Sequence, residues 1–116
     1  MRPLPPTLRE NRRYILIKVE AGEITQKEIY RAAADSVRDL FGDVGASRIH
    51  PAVIWSEGEY AIVRCSRARA LGTTAALACV TKAGGSPAVF RTVKTSGTVL
   101  GAKKGISVEK RYLHED

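Results

Sequence analysis

Apolar and polar residues alternate along this chain in a succession of patterned stretches separated by turn-forming residues. The first, Tyr14-Ile15-Leu16-Ile17-Lys18-Val19, is dense in β-branched and aromatic residues and ends at Ala21-Gly22, which predicts a mostly buried strand. Ile24-Thr25-Gln26-Lys27-Glu28-Ile29 then carries a helix start: Thr25 can cap the free amides, Glu28 can close a capping box, and Ile24 can staple onto Ile29. Ile29, Ala33, Val37, Leu40 and Phe41 follow on one stripe at helical spacing, with Lys27, Arg31, Asp35 and Asp39 on another. The helix is amphipathic and is expected to stop at Gly42.

Two extended runs, Ala52-Val53-Ile54-Trp55 and Tyr60-Ala61-Ile62-Val63-Arg64-Cys65, flank Ser56-Glu57-Gly58-Glu59 and predict an antiparallel hairpin. From Arg67 to Ala83 the chain is Ala-rich and helix-compatible, ending in Lys82 and Gly84-Gly85. This second helix is apolar almost all round: Leu71, Ala75 and Ala78 face one way, Leu77 and Val80 the other, so something besides the sheet is expected to cover it. Ala88-Val89-Phe90-Arg91-Thr92-Val93-Lys94 reads as a last strand. The order β-α-β-β-α-β predicts an α+β, ferredoxin-like split βαβ fold: a four-stranded antiparallel sheet with two helices on one face and the other face open. Residues 12–100 form the expected domain, preceded by a flexible basic arm at 1–11 with Pro3, Pro5 and Pro6, and followed by a basic tail or short helix at 101–116.

A length of 116 residues suits one domain, and 44% hydrophobic with 27% charged residues argues against wholesale disorder. Nineteen Lys and Arg against twelve Asp and Glu give a net charge of +7, which favours a polyanionic partner, nucleic acid before membrane. The excess is regional. Residues 21–60 hold four basic and seven acidic side chains, residues 61–111 ten basic and one acidic, and the start adds Arg2, Arg9, Arg12, Arg13 and Lys18. Cys65 and Cys79 match neither a disulfide framework nor zinc-ligand spacing and are expected to be buried, reduced thiols. The longest apolar stretch, Ala75 to Val80, is too short to span a bilayer, and the start lacks a signal-peptide core, so a soluble, cytoplasmic protein is expected.

The residues offer little chemistry. His50, before Pro51, and His114, near the end, suggest no pair; Glu57 and Glu59 flank Gly58 in a hairpin loop, where solvated charge is the ordinary reading. Ser96-Gly97-Thr98, with lysines on both sides, could present amides and ammonium groups to phosphates, although P-loop spacing is absent. An acylphosphatase-like activity would need a glycine-rich turn carrying Arg after the first strand, where Glu20-Ala21-Gly22-Glu23-Ile24 is short and acidic. No catalytic or metal-binding residues are therefore assigned. The third strand lacks the aromatic pattern of an RNA-recognition motif. Arg12, Arg13, Arg64, Arg67, Arg69, Arg91, Lys94, Lys103 and Lys104 are the candidate contacts to RNA backbone. Alternation places Tyr14, Leu16, Tyr60 and Ile62 on the open face, where they could stack on bases or dock a protein. Protein docking is the favoured assignment, with Leu77 and Val80 added from the second helix.

Several segments, in order, carry a resemblance: Arg13-Tyr14-Ile15-Leu16, Tyr30-Arg31-Ala32, Asp39-Leu40-Phe41-Gly42-Asp43-Val44-Gly45-Ala46-Ser47, Ala61-Ile62-Val63-Arg64-Cys65, Thr81-Lys82-Ala83-Gly84-Gly85 and Val93-Lys94-Thr95-Ser96-Gly97-Thr98. Over residues 12–104 the chain resembles the archaeal ribonuclease P protein component 2 family, related to eukaryotic ribonuclease P and ribonuclease MRP subunits. The proline-rich start and the ISVEKRYLHED tail depart from that pattern. The resemblance implies an accessory subunit of an RNA-based endoribonuclease that removes the 5′ leader of precursor tRNA, with magnesium held by the RNA and no cofactor on the protein. It further implies as partners ribonuclease P RNA, protein component 3, commonly in a heterotetramer around two copies of this subunit, and other ribonuclease P proteins, with precursor tRNA met indirectly. A homodimer is compatible with this arrangement. An RNA-binding or ribosome-associated module unrelated to ribonuclease P fits the same charge pattern.

Overall fold

The computed structural model describes residues 12–113; the proline-rich arm (1–11) and His114 lie outside them. The β-branched first run forms β1 (Arg12–Glu20), one of two inner strands and paired on both sides. With β2 (Ala52–Glu57), β3 (Tyr60–Ser66) and a last long strand, β6 (Val89–Ser96), it makes an antiparallel sheet of order β2-β3-β1-β6. This is the split βαβ arrangement that the sequence pattern predicts, with Gly58 at φ 60 closing the β2–β3 hairpin.

Helix α1 (Gln26–Ile49) starts at Thr25, and the capping box is complete: Glu28 N–H donates to Thr25 Oγ1 at 3.1 Å, and Thr25 N–H donates to Glu28 Oε1 at 2.9 Å. The helix does break at Gly42 (φ 74, ψ 178), but it does not end there: a further helical segment runs on to Ile49. Leu40 and Phe41, expected on the buried stripe, are 44% and 40% exposed, in the last turn before the break.

The stretch expected to form one helix from Arg67 to Ala83 divides into three. Arg67–Arg69 is a 3₁₀ turn, α2 covers only Ala70–Ala78, and β4 (Lys82–Ala83) pairs with β5 (Ser86–Pro87). Gly84 and Gly85, at φ 59 and 80, supply the two left-handed residues of a tight hairpin turn and not a helix stop. Cys79, expected in the core, lies at the end of α2 and is exposed, whereas Cys65 is buried as expected.

The largest departure is on the sheet face expected to be open. Residues 101–116 were expected to be a tail or short helix; α3 (Val99–Leu113) packs across that face. The sheet is therefore covered on both sides. The inner cluster joins Ile15, Ile17, Val63 and Phe90 to Ile29 and Val37 of α1 and Leu77 of α2. The outer cluster joins Leu16, Tyr60 and Ile62 to Ala102 of α3, with Tyr14, Ile54, Trp55, Val93, Val99 and Ile106 packed against it. A bulge at Ile54 sets two successive residues, Ile54 and Trp55, against this cluster, and a second bulge interrupts the β1–β6 register after Leu16. Gly105 lets the helix sit close: a Cβ there would lie 2.9 Å from Leu16 Cδ2 and 3.1 Å from Lys94 Cβ. At the far end of α3, Glu109 is paired with Arg91 and stands 3.7 Å from Lys18 Nζ.

Candidate nucleic-acid interface

Strand register decides which cations meet. In the β1–β3 pair, Arg12 lies opposite Ser66, Arg13 opposite Cys65 and Tyr14 opposite Arg64, so the start of β1 and the end of β3 share one end of the sheet. The chain leaves β3 directly into the 3₁₀ turn bearing Arg67 and Arg69, both exposed. Five of the nine cations named from sequence thus gather from β1, β3 and one turn. A sixth joins them: Ser66 Oγ donates to the Arg48 carbonyl at 3.1 Å, tying the exposed last turn of α1 to the same end. Sequence counting missed Arg48 because it falls in the acid-rich stretch 21–60; only the packing of the last turn of α1 against the end of β3 brings it here.

The opposite end of the sheet is acidic. Glu20 closes β1, Glu57 and Glu59 frame the β2–β3 turn, and Glu23 follows in the loop to α1. Arg91 lies towards this end, opposite Lys18, and its guanidinium is taken up by Glu109. It is separated from the arginine end. Lys94 and Lys104 are exposed beside and on α3, and Lys103 holds its ammonium 4.7 Å from the centre of the Trp55 ring, a cation–π contact. These lysines flank the arginine cluster along the outer layer without joining it.

The residues assigned from sequence to a protein interface are mostly core. Leu16 and Ile62 are fully buried and Tyr60 is 6% exposed, because α3 lies over them; Leu77 is fully buried against the sheet and Val80 is 7% exposed. Burial pushes the Tyr60 phenol pKa up, with the nearby Glu109 carboxylate adding to the shift. Only Tyr14 keeps partial exposure, at the rim of the outer cluster. An exposed apolar patch lies instead where α1 passes α2, at Leu40, Phe41, Val44 and Leu71, the last 87% exposed, while Val89, Leu100 and Val108 are exposed elsewhere. The Phe41 ring packs on Gly72, where a Cβ would stand 3.2 Å from its Cζ.

Among the described residues no three His, Cys, Asp or Glu side chains gather in a way that could hold a metal ion, and no described helix is long and apolar enough to cross a membrane. What the arginine end offers is a set of arginines borne by two strands, a 3₁₀ turn and the last turn of α1. Such a set can bind several phosphates of a folded polyanion at once, fixing orientation without reading bases.

Residues 13–107 match the sequence profile of the Rpp14/Pop5 family. The chain is 58% identical over 110 residues to ribonuclease P protein component 2 of Methanocorpusculum labreanum, covering 94% of this chain and 75% of that protein. It is 40% identical to the protein of the same name from Methanoculleus marisnigri, covering 90% of this chain and 66% of the relative. To that of Methanocaldococcus jannaschii it is 30% identical, covering 97% and 87%. Its fold superposes on a chain in the cryo-EM structure of yeast ribonuclease MRP with a TM-score of 0.64 at 13% identity, covering 90% of this chain and 95% of that one.

Proposed function

Since the chain belongs to the Rpp14/Pop5 family, we propose that it is a protein subunit of ribonuclease P, the ribonucleoprotein that removes the 5′ leader of precursor tRNA, and that its arginine end meets the RNA. One observation carries the assignment of that surface: Arg12, Arg13, Arg48, Arg64, Arg67 and Arg69 converge on one sheet end while Glu20, Glu57 and Glu59 occupy the other. In this reading the RNA holds magnesium and does the chemistry, and the protein supplies no catalytic group. Guanidiniums placed against crowded phosphates lower the repulsion that opposes a compact RNA, so less magnesium is needed to hold the active fold.

The exposed patch of Leu40, Phe41, Val44 and Leu71 serves a protein neighbour in the same assembly, protein component 3 being the expected one, in a heterotetramer around two copies of this chain. The test is reconstitution of precursor-tRNA cleavage from ribonuclease P RNA and component 3, with and without this protein. Activity at limiting magnesium should rise when the protein is added and fall back when Arg67→Ala/Arg69→Ala replaces it. No gain from the unmodified protein would sink the proposal.

A further inference from the structure

Beside the arginine end, between α1 and the entry to β2, lies a groove of about 470 Å³ lined by Tyr30, Arg38, Asp43, Ser47, His50 and Arg64, among others. That volume is within the range of small-molecule sites. Its walls follow from local features already described. Tyr30, Ala34 and Arg38 succeed one another at four-residue steps on α1, so the phenol ring and the guanidinium stand on one stripe with a small residue between them. The break at Gly42 turns the chain so that Asp43 stands 3.4 Å from Arg38 Nε, while Asp35 stands 3.3 Å from its Nη1. His50 sits in the left-handed region (φ 49, ψ 58), its N–H donating to the Ala46 carbonyl at 3.1 Å, which fixes the rim where β2 begins.

The chemistry of this lining is mixed in a specific way. A guanidinium held at its edge by carboxylates leaves its flat faces for stacking, and Tyr30, 43% exposed, offers a second flat face. Asp43 disfavours a bare phosphate in the middle of the groove but can accept N–H groups from the edge of a base. Arg64, shared with the arginine end, is the second arginine lining the groove and supplies positive charge for a phosphate at its edge. Unstacked RNA bases are recognised by this combination of aromatic and guanidinium planes with polar groups at the base edge.

We infer that the groove receives one unpaired nucleotide of the RNA, its base against Tyr30 and Arg38 and its phosphate at Arg64. The inference rests on the ribonuclease P reading and deepens it, adding an extruded nucleotide to contacts with backbone phosphates.

The experiment is an NMR titration of ¹⁵N-labelled protein with each of the four nucleoside 5′-monophosphates and, separately, with inorganic phosphate. Nucleotides should shift the amides of Tyr30, Ser47 and His50 in a saturable way, whereas phosphate should act only near Arg64. Tyr30→Ala should weaken nucleotide binding roughly 5- to 150-fold, the range expected for loss of one base–aromatic stack, and Tyr30→Phe should retain it. Arg67→Ala/Arg69→Ala, outside the groove, should leave this titration unchanged while weakening binding of ribonuclease P RNA. Identical shifts from phosphate alone, or no shift at millimolar nucleotide, would overturn the inference; RNA binding that still depends on Arg67 and Arg69 would then leave the subunit reading standing. Nucleotide binding without any affinity for ribonuclease P RNA would overturn the RNA as source of the nucleotide.

Discussion

Replacing Glu109 by Gln removes the anion that ties α3 to the sheet, and the structure sets the size of the effect. The Glu109 side chain is 10% exposed and that of Lys18 14%, whereas Arg91 is half in water at 49%. Breaking a fully buried pair by removing one partner costs about 3–5 kcal/mol, chiefly because the remaining charge is stranded. Here Arg91 can turn to solvent, and the enclosed Lys18 keeps only the exposed Glu59 carboxylate at 3.9 Å, so Glu109→Ala should cost about 2–3 kcal/mol; Glu109→Gln, which keeps hydrogen-bonding atoms, should cost about 1–2 kcal/mol. For a domain of this size that is a fall in Tm of roughly 4 °C per kcal/mol. Trp55 is the one tryptophan in the chain and packs against the cluster that α3 covers, so urea unfolding followed by its fluorescence reads the docked helix directly. The double variant Lys18→Met/Glu109→Leu should recover most of the loss, since apolar side chains can replace a buried pair without stranding a charge. A Glu109→Gln protein within about 0.5 kcal/mol of the parent, the usual range for surface substitutions, or a double variant no more stable than Glu109→Ala, would refute the reasoning.

Gly105→Val should loosen α3, because its branched side chain meets Leu16 and Lys94 where even a Cβ stands at 2.9 and 3.1 Å; the readout is a rise in Trp55 quenching by acrylamide. Cys79 should react rapidly with a thiol reagent in the native protein and Cys65 only on unfolding, since burial pushes the Cys65 thiol pKa above its ordinary value; equal native rates would contradict this. Thr25→Ala should destabilise by about 1 kcal/mol through loss of the cap. The Glu28 carboxyl is held below its usual value near 4.5 chiefly by the Thr25 backbone N–H, so its stabilisation is complete above that value and disappears as pH falls through the lower folded one; Glu28→Gln, which removes the titrating group, should shrink this acid-side dependence in a pH series of urea midpoints. Arg67→Ala/Arg69→Ala should lower the slope of log affinity for RNA against log salt by about 1.4–1.8 if each guanidinium contacts one phosphate.

The elements easiest to read from sequence were those whose signals are local. The capping box at Thr25 and Glu28 and the turn at Gly58 need only neighbours along the chain, and both stand where their residues place them. The third helix was harder, because Gly101 and Gly105 lower helix propensity and make Val99–Leu113 read as a weakly patterned tail. Gly105 is also what allows the helix to approach Leu16, and Gly101 what lets its first turn sit against Ser96 and Thr98, so the weak local signal and the tight packing have one cause. Missing that helix turned Leu16, Tyr60 and Ile62 into an apparent surface. For the site, the sequence showed a cationic second half but not its grouping: Arg48 joins only through the packing of the last turn of α1 against the end of β3, and Arg91 leaves only through strand pairing and the bond to Glu109.

Arginines at one end of the strands and glutamates at the other give the molecule a permanent electric moment along the sheet. In the field of a polyanion such a body feels a torque before it feels a contact, so random encounters are converted into arrivals with the same end foremost. Assembly then depends on ionic strength in its rate as well as its affinity. With the arginine end as the RNA-binding surface proposed above, the glutamate end would arrive facing away from the phosphates, leaving a side from which a later chain could be added without competing with RNA for the same guanidiniums.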